Sequence, residues 1–246
     1  MTMSSSYPGR GVHGRVVELL GERVASGMIR EGDTLDLRSL SAELGVSMSV
    51  VRESVRVLAA KGLVDSRQKR GTFVRPRTEW NLLDADVVRW RARGGDTARL
   101  MADLAELRAL IEPAAARFAA QRRTENQLAD LDQALDCMDR TRGDPRAHAL
   151  ADLEFHRCLL AASGNELLSR MDLLVAPGLV ERDILVHSAD PKADPVPAHR
   201  AVVDAVRARN PDAAEQAMRA LLAAADADLR RLAGTALDPP NRKDRP

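Results

Sequence analysis

A chain of 246 residues exceeds one average domain and has room for two small ones, each with its own core. Only 2% of the residues are aromatic, against 45% hydrophobic and 30% charged, which excludes the aromatic and β-branched mix of an all-β protein and predicts a mainly α fold. The net charge is +1, yet the residues up to Arg77 hold 13 Lys and Arg against 8 Asp and Glu, a basic excess that suits a phosphate-facing module and equally an ordinary solvated surface.

In chain order, Val16, Val17, Leu19, Leu20 and Val24 form a helical stripe that stops at Ser26-Gly27. The segment from Ile29 to Leu35 reads as a turn leading to Asp36, which can cap a second helix from Leu37 to Gly45. Ser47 or Ser49 can cap a third helix with Val51, Val55 and Leu58 on its apolar face. Two short helices joined by Gly45-Val46-Ser47 have the spacing of a helix-turn-helix, where a small residue permits close crossing and glycine makes the turn. Residues 63–67 and 71–75 then alternate apolar and polar like two strands around Gln68-Lys69-Arg70, a basic-tipped wing. Next to a helix-turn-helix, Lys69 and Arg70 suit phosphate or the minor groove.

These segments resemble the GntR family: Val-Ala-Ser-Gly-Met-Ile-Arg-Glu-Gly-Asp-Thr-Leu at 24–35, Glu-Leu-Gly-Val-Ser at 43–47, Val-Arg-Glu-Ser-Val-Arg-Val-Leu at 51–58, Lys-Gly-Leu-Val at 61–64 and Arg-Gly-Thr-Phe-Val at 70–74. The resemblance implies a winged helix-turn-helix over 10–77 that binds double-stranded operator DNA through Arg38, Ser47, Ser49, Arg52, Arg56, Lys69 and Arg70. Arg38 and Arg52 suit guanine edges, which a guanidinium can bond bidentately, while Arg56 and Lys61 suit phosphates. Met48 stands where the family usually has Arg and cannot donate a hydrogen bond, so operator sequence is not carried over. The alternative for Arg38, Arg52 and Arg56 is an exposed face paired with Glu43 and Glu53.

Residues 78–95 read as a linker, with Trp80 and Trp90 as anchors packing one domain on the other. From residue 96 to 234 six helical stretches follow, at about 97–121, 125–140, 145–162, 166–187 with a break at Pro177-Gly178, 197–209 and 212–233; the tail 235–246 reads as disordered. Asp152 and His156 lie four apart on one helical face, at the separation needed to share a cation, and His199 can complete three ligands. The plainer reading is an intrahelical Asp152–His156 pair, with His199 as a cap or surface residue. His148 lies two turns from His156, too far to share an ion with it, and reads as surface or packing. Arg108 interrupts an apolar face and needs an anionic partner, either Glu112 or a bound carboxylate. Cys137 and Cys158 lack metal spacing and read as buried free thiols in a reducing compartment. No apolar run approaches the ~20 residues of a membrane span and the start lacks a signal-peptide core, which points to a cytoplasmic protein with no membrane partner.

Asp-Leu-Glu-Phe-His at 152–156, Ser-Gly-Asn at 163–165 and the run from His199 to Asn210 resemble the FCD ligand-binding domain of the FadR-type GntR regulators. The resemblance implies an all-α effector-binding and dimerisation bundle, with Asp152, His156 and His199 as ligands for zinc or another divalent metal. The family's fourth ligand position is Leu221 here, and His187 is a candidate substitute. Effector binding falls to Arg108, Asp152, His156 and His199, and the galactonate-operon repressor group within the subfamily suggests a sugar acid or another small carboxylate. The expected protein is a homodimeric repressor released from DNA by its effector. Two rival readings are a helical half that serves only for dimerisation, having lost its pocket with the Leu221 change, and a metal-dependent enzyme; the latter lacks any nucleophile or di-iron motif.

Overall fold

The computed structural model describes residues 11–94, 97–172 and 194–236, with positions 176, 179, 180, 184, 186 and 188 between them. The chain divides into two compact units, residues 1–101 and 102–246.

The first unit opens with helix α1 (Gly11–Ala25), which buries Val16, Val17, Leu20 and Val24 in one stripe. Helix α2 (Leu37–Leu44) starts where Asp36 accepts the N–H groups of Arg38 and Ser39, and it ends at Gly45, whose φ of 62° is the left-handed conformation that glycine adopts without a Cβ penalty. Helix α3 (Met48–Ala60) starts at Ser47, whose hydroxyl accepts Val50 N–H, and buries Val51, Ser54, Val55 and Leu58. The wing strands β2 (Val64–Arg67) and β3 (Gly71–Val74) pair antiparallel.

Two features depart from the sequence reading. The segment before Asp36, read as a turn, contains a two-residue strand β1 (Thr34–Leu35) that pairs with the other side of β3, so the sheet order is β1-β3-β2. Two residues show no periodicity, and this strand exists only because β3 offers its second edge. The expected linker is also structured: after a 3-10 turn at Arg77–Glu79, helix α4 (Ala85–Arg93) packs on α1. Trp80 and Trp90 belong to the same core as Val17, Leu20, Leu58 and Leu63, so both tryptophans are core residues of the first unit.

The remaining elements are all helical among the described residues. Helices α5 (Thr97–Arg122), α6 (Glu125–Arg140), α7 (Pro145–Ala162), α8 (Glu166–Arg170), α9 (Val196–Arg207) and α10 (Pro211–Ala236) follow in order. Their starts are set locally. Thr124 and Gln127 form a reciprocal capping box, Asp144 caps α7 ahead of Pro145, and Asn165 caps α8. Helix α6 packs on α7 and α9, and α9 on α10, around Phe155, Leu131, Leu135, Met138, Val202 and Met218. Leu221 is a member of this apolar core. Most of the stretch 173–193, which holds the Pro177-Gly178 break and His187, lies outside the described residues, as does the tail from 237.

Candidate functional site

The first unit offers an exposed basic face around the helix-turn-helix. Arg38 on α2 and Arg52 on α3 are exposed, and neither forms an ion pair among the described residues. Two acidic neighbours have other partners: Glu43 bonds Arg23 at 2.7 Å and Glu53 bonds Arg56 at 2.5 Å. Arg56 is thus paired within its own helix, although 75% of its side chain is exposed and an exposed pair of this kind is weak enough to exchange for phosphate. At the start of α3 the hydroxyls of Ser47 and Ser49 lie 2.8 Å apart. At the wing tip Lys69 takes a φ of 71°, while the Arg70 guanidinium lies 3.6 Å from the centre of the buried Phe73 ring. That stacking holds Arg70 against the sheet at the hairpin tip. Lys61 differs from its expected role at phosphate, because its ammonium is held by Asp84 and Asp86.

The second unit gathers Arg108, Glu112, Asp152, His156 and His199, all buried. Arg108 and Glu112 are one turn apart on α5, Asp152 and His156 one turn apart on α7, and His199 stands in the first turn of α9. Arg108 donates from Nε to Glu112 Oε1 at 2.7 Å, so the protein carboxylate does meet this guanidinium. Glu112 also accepts from His156 Nδ1 at 2.9 Å. Burial pushes the Glu112 carboxyl up, but Arg108 and His156 outweigh it and hold its pKa at about 2.

The two imidazoles share one arrangement. His199 Nδ1 lies 2.8 Å from the Pro195 carbonyl oxygen, which only accepts, so Nδ1 carries the proton. Its Nε2 lies 2.8 Å from Asp152 Oδ1, off the hydrogen-bonding direction. His156 donates from Nδ1 to Glu112, and its Nε2 faces Arg108 Nη2 at 2.9 Å and Asp152 Oδ2 at 3.6 Å. Phe155 stands edge-on to both rings, with centroids 5.4 and 4.7 Å away, and restricts their rotation.

Two imidazole nitrogens facing one carboxylate, each with its ring's other nitrogen anchored to an acceptor, form a candidate donor set for a divalent cation. One donor atom from each of Asp152, His156 and His199 lies within 4.8 Å of the others. The buried, unbonded His199 Nε2 fits a ligand better than a structural cap. The intrahelical Asp152–His156 pair is present at 3.6 Å, and Asp152 also meets His199, at 2.8 Å. His148 is apart from this set, with Nδ1 3.1 Å from the Met138 carbonyl in the core. The two thiols are half-buried, and burial together with Glu154 pushes Cys158 up to about 12, which leaves it unreactive. Sequence reasoning missed Phe155 and the Pro195 carbonyl. The spacing of Pro195 to His199, four residues at a helix start, is the one signal for the latter.

Residues 13–74 match the family model described as bacterial regulatory proteins, gntR family, and residues 103–224 match the FCD domain. The galactonate operon transcriptional repressor of Escherichia coli (strain K12) is 33% identical over 222 residues, covering 89% of this chain and 96% of that protein. The chain belongs to the GntR family and carries an FCD domain. It is a DNA-binding transcriptional regulator and not an enzyme. The regulator LutR of Bacillus subtilis (strain 168) is 32% identical over 207 residues, covering 81% of this chain and 92% of that protein. A solved structure, Lar, described as controlling expression of the Listeria monocytogenes agr system, superimposes with a TM-score of 0.62 at 19% identity, covering 91% of this chain and 98% of that chain, and supports the fold alone. No helix among the described residues is long and apolar enough to cross a membrane.

Proposed function

We propose that this regulator is a cytoplasmic homodimeric repressor of an operon for sugar acid or other small organic acid catabolism, released from its operator by a carboxylate effector bound at Arg108, Asp152, His156 and His199. The observation that carries this reading is the burial, in one helical unit, of a guanidinium beside a three-donor cation site. Such a pairing of fixed positive groups suits a small anion, and the name of the galactonate operon transcriptional repressor points the same way in chemical class. Asp152, His156 and His199 would hold a zinc or other divalent ion, which would supply Lewis-acid attraction for the effector carboxylate. Arg108 supplies directional donors, and Glu112 fixes both Arg108 and the His156 tautomer. Leu221, which the resemblance puts in the position of the family's fourth ligand, lies in the apolar core, and the donors among the described residues are Asp152, His156 and His199.

On the DNA side, two copies related by a twofold axis would place their α3 helices in successive major grooves of a palindromic operator. Arg38 and Arg52 then face base edges, with Ser47, Ser49, Arg56, Lys69 and Arg70 on the backbone. Effector binding that favours one arrangement of the dimer changes the spacing of the two readers and weakens DNA binding.

The test is a thermal-shift screen of the full-length protein against galactonate, other hexonates, uronates and lactate, with and without zinc, followed by an operator shift assay with any acid that binds. A selective acid raises the melting temperature by mass action and releases DNA. Stabilisation by no acid in either condition favours a helical half that serves dimerisation alone.

A further inference from the structure

Lys61 closes helix α3, and its ammonium turns away from solvent. It lies 2.9 and 2.8 Å from the two oxygens of Asp84 and 2.7 Å from Asp86 Oδ2, with 13% of its side chain exposed. Both carboxylates stand at the N-terminus of α4, where Asp84 also accepts the N–H groups of Asp86 and Val87 as the helix cap. A cation at the end of one helix and carboxylates at the start of the next each complement the local helix dipole. Burial works against the Lys61 charge, but the two carboxylates outweigh it and raise its pKa.

The connection continues to a third helix. Arg89 bonds Asp86 at 2.7 Å and Glu18 at 2.6 Å, and Trp90 Nε1 donates to the same Glu18 at 2.9 Å. Helices α1, α3 and α4 are therefore joined by one run of ion pairs and charge-assisted hydrogen bonds. The backbone is as closely fitted. Gly62 has a φ of +80°, and a Cβ there would stand 2.8 Å from the Glu79 carbonyl, while Asn81 N–H donates to the Lys61 carbonyl at 3.0 Å.

We propose that Asp84 and Asp86 are positioning residues for operator recognition: they clamp Lys61, fix the C-terminal end of α3 to α4 and α1, and keep Lys61 off the DNA phosphates. The consequence runs against simple electrostatics, because removing an acidic group from a DNA-binding unit then weakens its specific binding.

The experiment uses the full-length protein, a duplex selected from a random-sequence pool by the wild-type protein, and an unrelated duplex of equal length. Affinities are measured between 50 and 200 mM salt for wild type, Lys61→Met, Asp86→Asn and the double variant. The clamp predicts that each single variant raises Kd for the selected duplex about tenfold, that the double variant adds little to either, and that the slope of log K against log salt stays the same. Asp86→Asn removes no cation, so its weaker specific binding is decisive even where Lys61→Met disturbs folding. A phosphate contact by Lys61 predicts a different pattern: Lys61→Met lowers the slope by about 0.9 on both duplexes, and Asp86→Asn binds as well as wild type or better. That pattern overturns the proposal, as would full additivity of the two substitutions or unchanged affinity for the selected duplex.

Discussion

Replacing Gly21 by Ala in the middle of α1 sets two physical effects against each other. Helix propensity alone favours Ala over Gly by ~0.8–1.0 kcal/mol, so an isolated α1 would gain stability. In the folded unit the added Cβ would stand 2.5, 2.5 and 2.6 Å from Cδ2, Cε2 and Cε3 of Trp90, against ~3.5–4.0 Å for carbon atoms in contact. The indole must therefore retreat by about 1 Å, and it has nowhere to go: Trp90 is fully buried and its Nε1–H is fixed to Glu18 at 2.9 Å. Overpacking costs ~1–3 kcal/mol, and loss of a hydrogen bond to a charged group adds about 1.5–3 kcal/mol. With the propensity gain subtracted, Gly21→Ala should destabilise the first unit by roughly 1.5–5 kcal/mol. The assay is urea unfolding followed by tryptophan fluorescence, which reports this unit alone because both tryptophans of the chain lie in its core. A Gly21→Ala protein as stable as wild type, or more so, would refute the packing of α4 on α1 and with it the reason for counting residues 77–93 as part of the DNA reader.

Other outcomes follow from the two sites. Arg38→Ala and Arg52→Ala should each cost ~1–3 kcal/mol of binding to the selected duplex and relax its sequence preference, whereas Lys69→Ala should weaken all duplexes alike and lower the salt slope by about 0.9; equal losses on specific and unrelated DNA for Arg52→Ala would remove it as a base reader. Asp152→Asn and His199→Gln should abolish zinc uptake measured by equilibrium dialysis, and retention of one zinc per chain would place the ion elsewhere. Glu112→Gln leaves the buried Arg108 charge without its carboxylate and should destabilise the second unit by about 3–5 kcal/mol in thermal denaturation near neutral pH. Because the Glu112 pKa is held at about 2, below its ordinary 4.5, its stabilising contribution is complete above pH 4.5 and lost as pH falls toward 2; the gap between wild type and Glu112→Gln should close over that interval.

What the amino-acid order determined by itself is local. Asp36, Ser47, Thr124, Asp144 and Asn165 stop or start helices because their side chains reach N–H groups two or three residues away, and such bonds depend on nothing distant. The Asp152–His156 face and the Arg108–Glu112 pair were legible for the same reason, each being one helical turn. Tertiary structure decided the rest. Strand β1 forms only on the edge of β3, the tryptophans find their core on α1, and Lys61 is claimed by carboxylates more than twenty residues away instead of by phosphate. His199 likewise meets Asp152 from 47 residues further along the chain, and only that meeting turns two helical faces into one cluster of candidate metal donors. Propensity and capping act over a turn, whereas the choice among distant partners is made by packing, which burial enforces and a linear pattern does not encode.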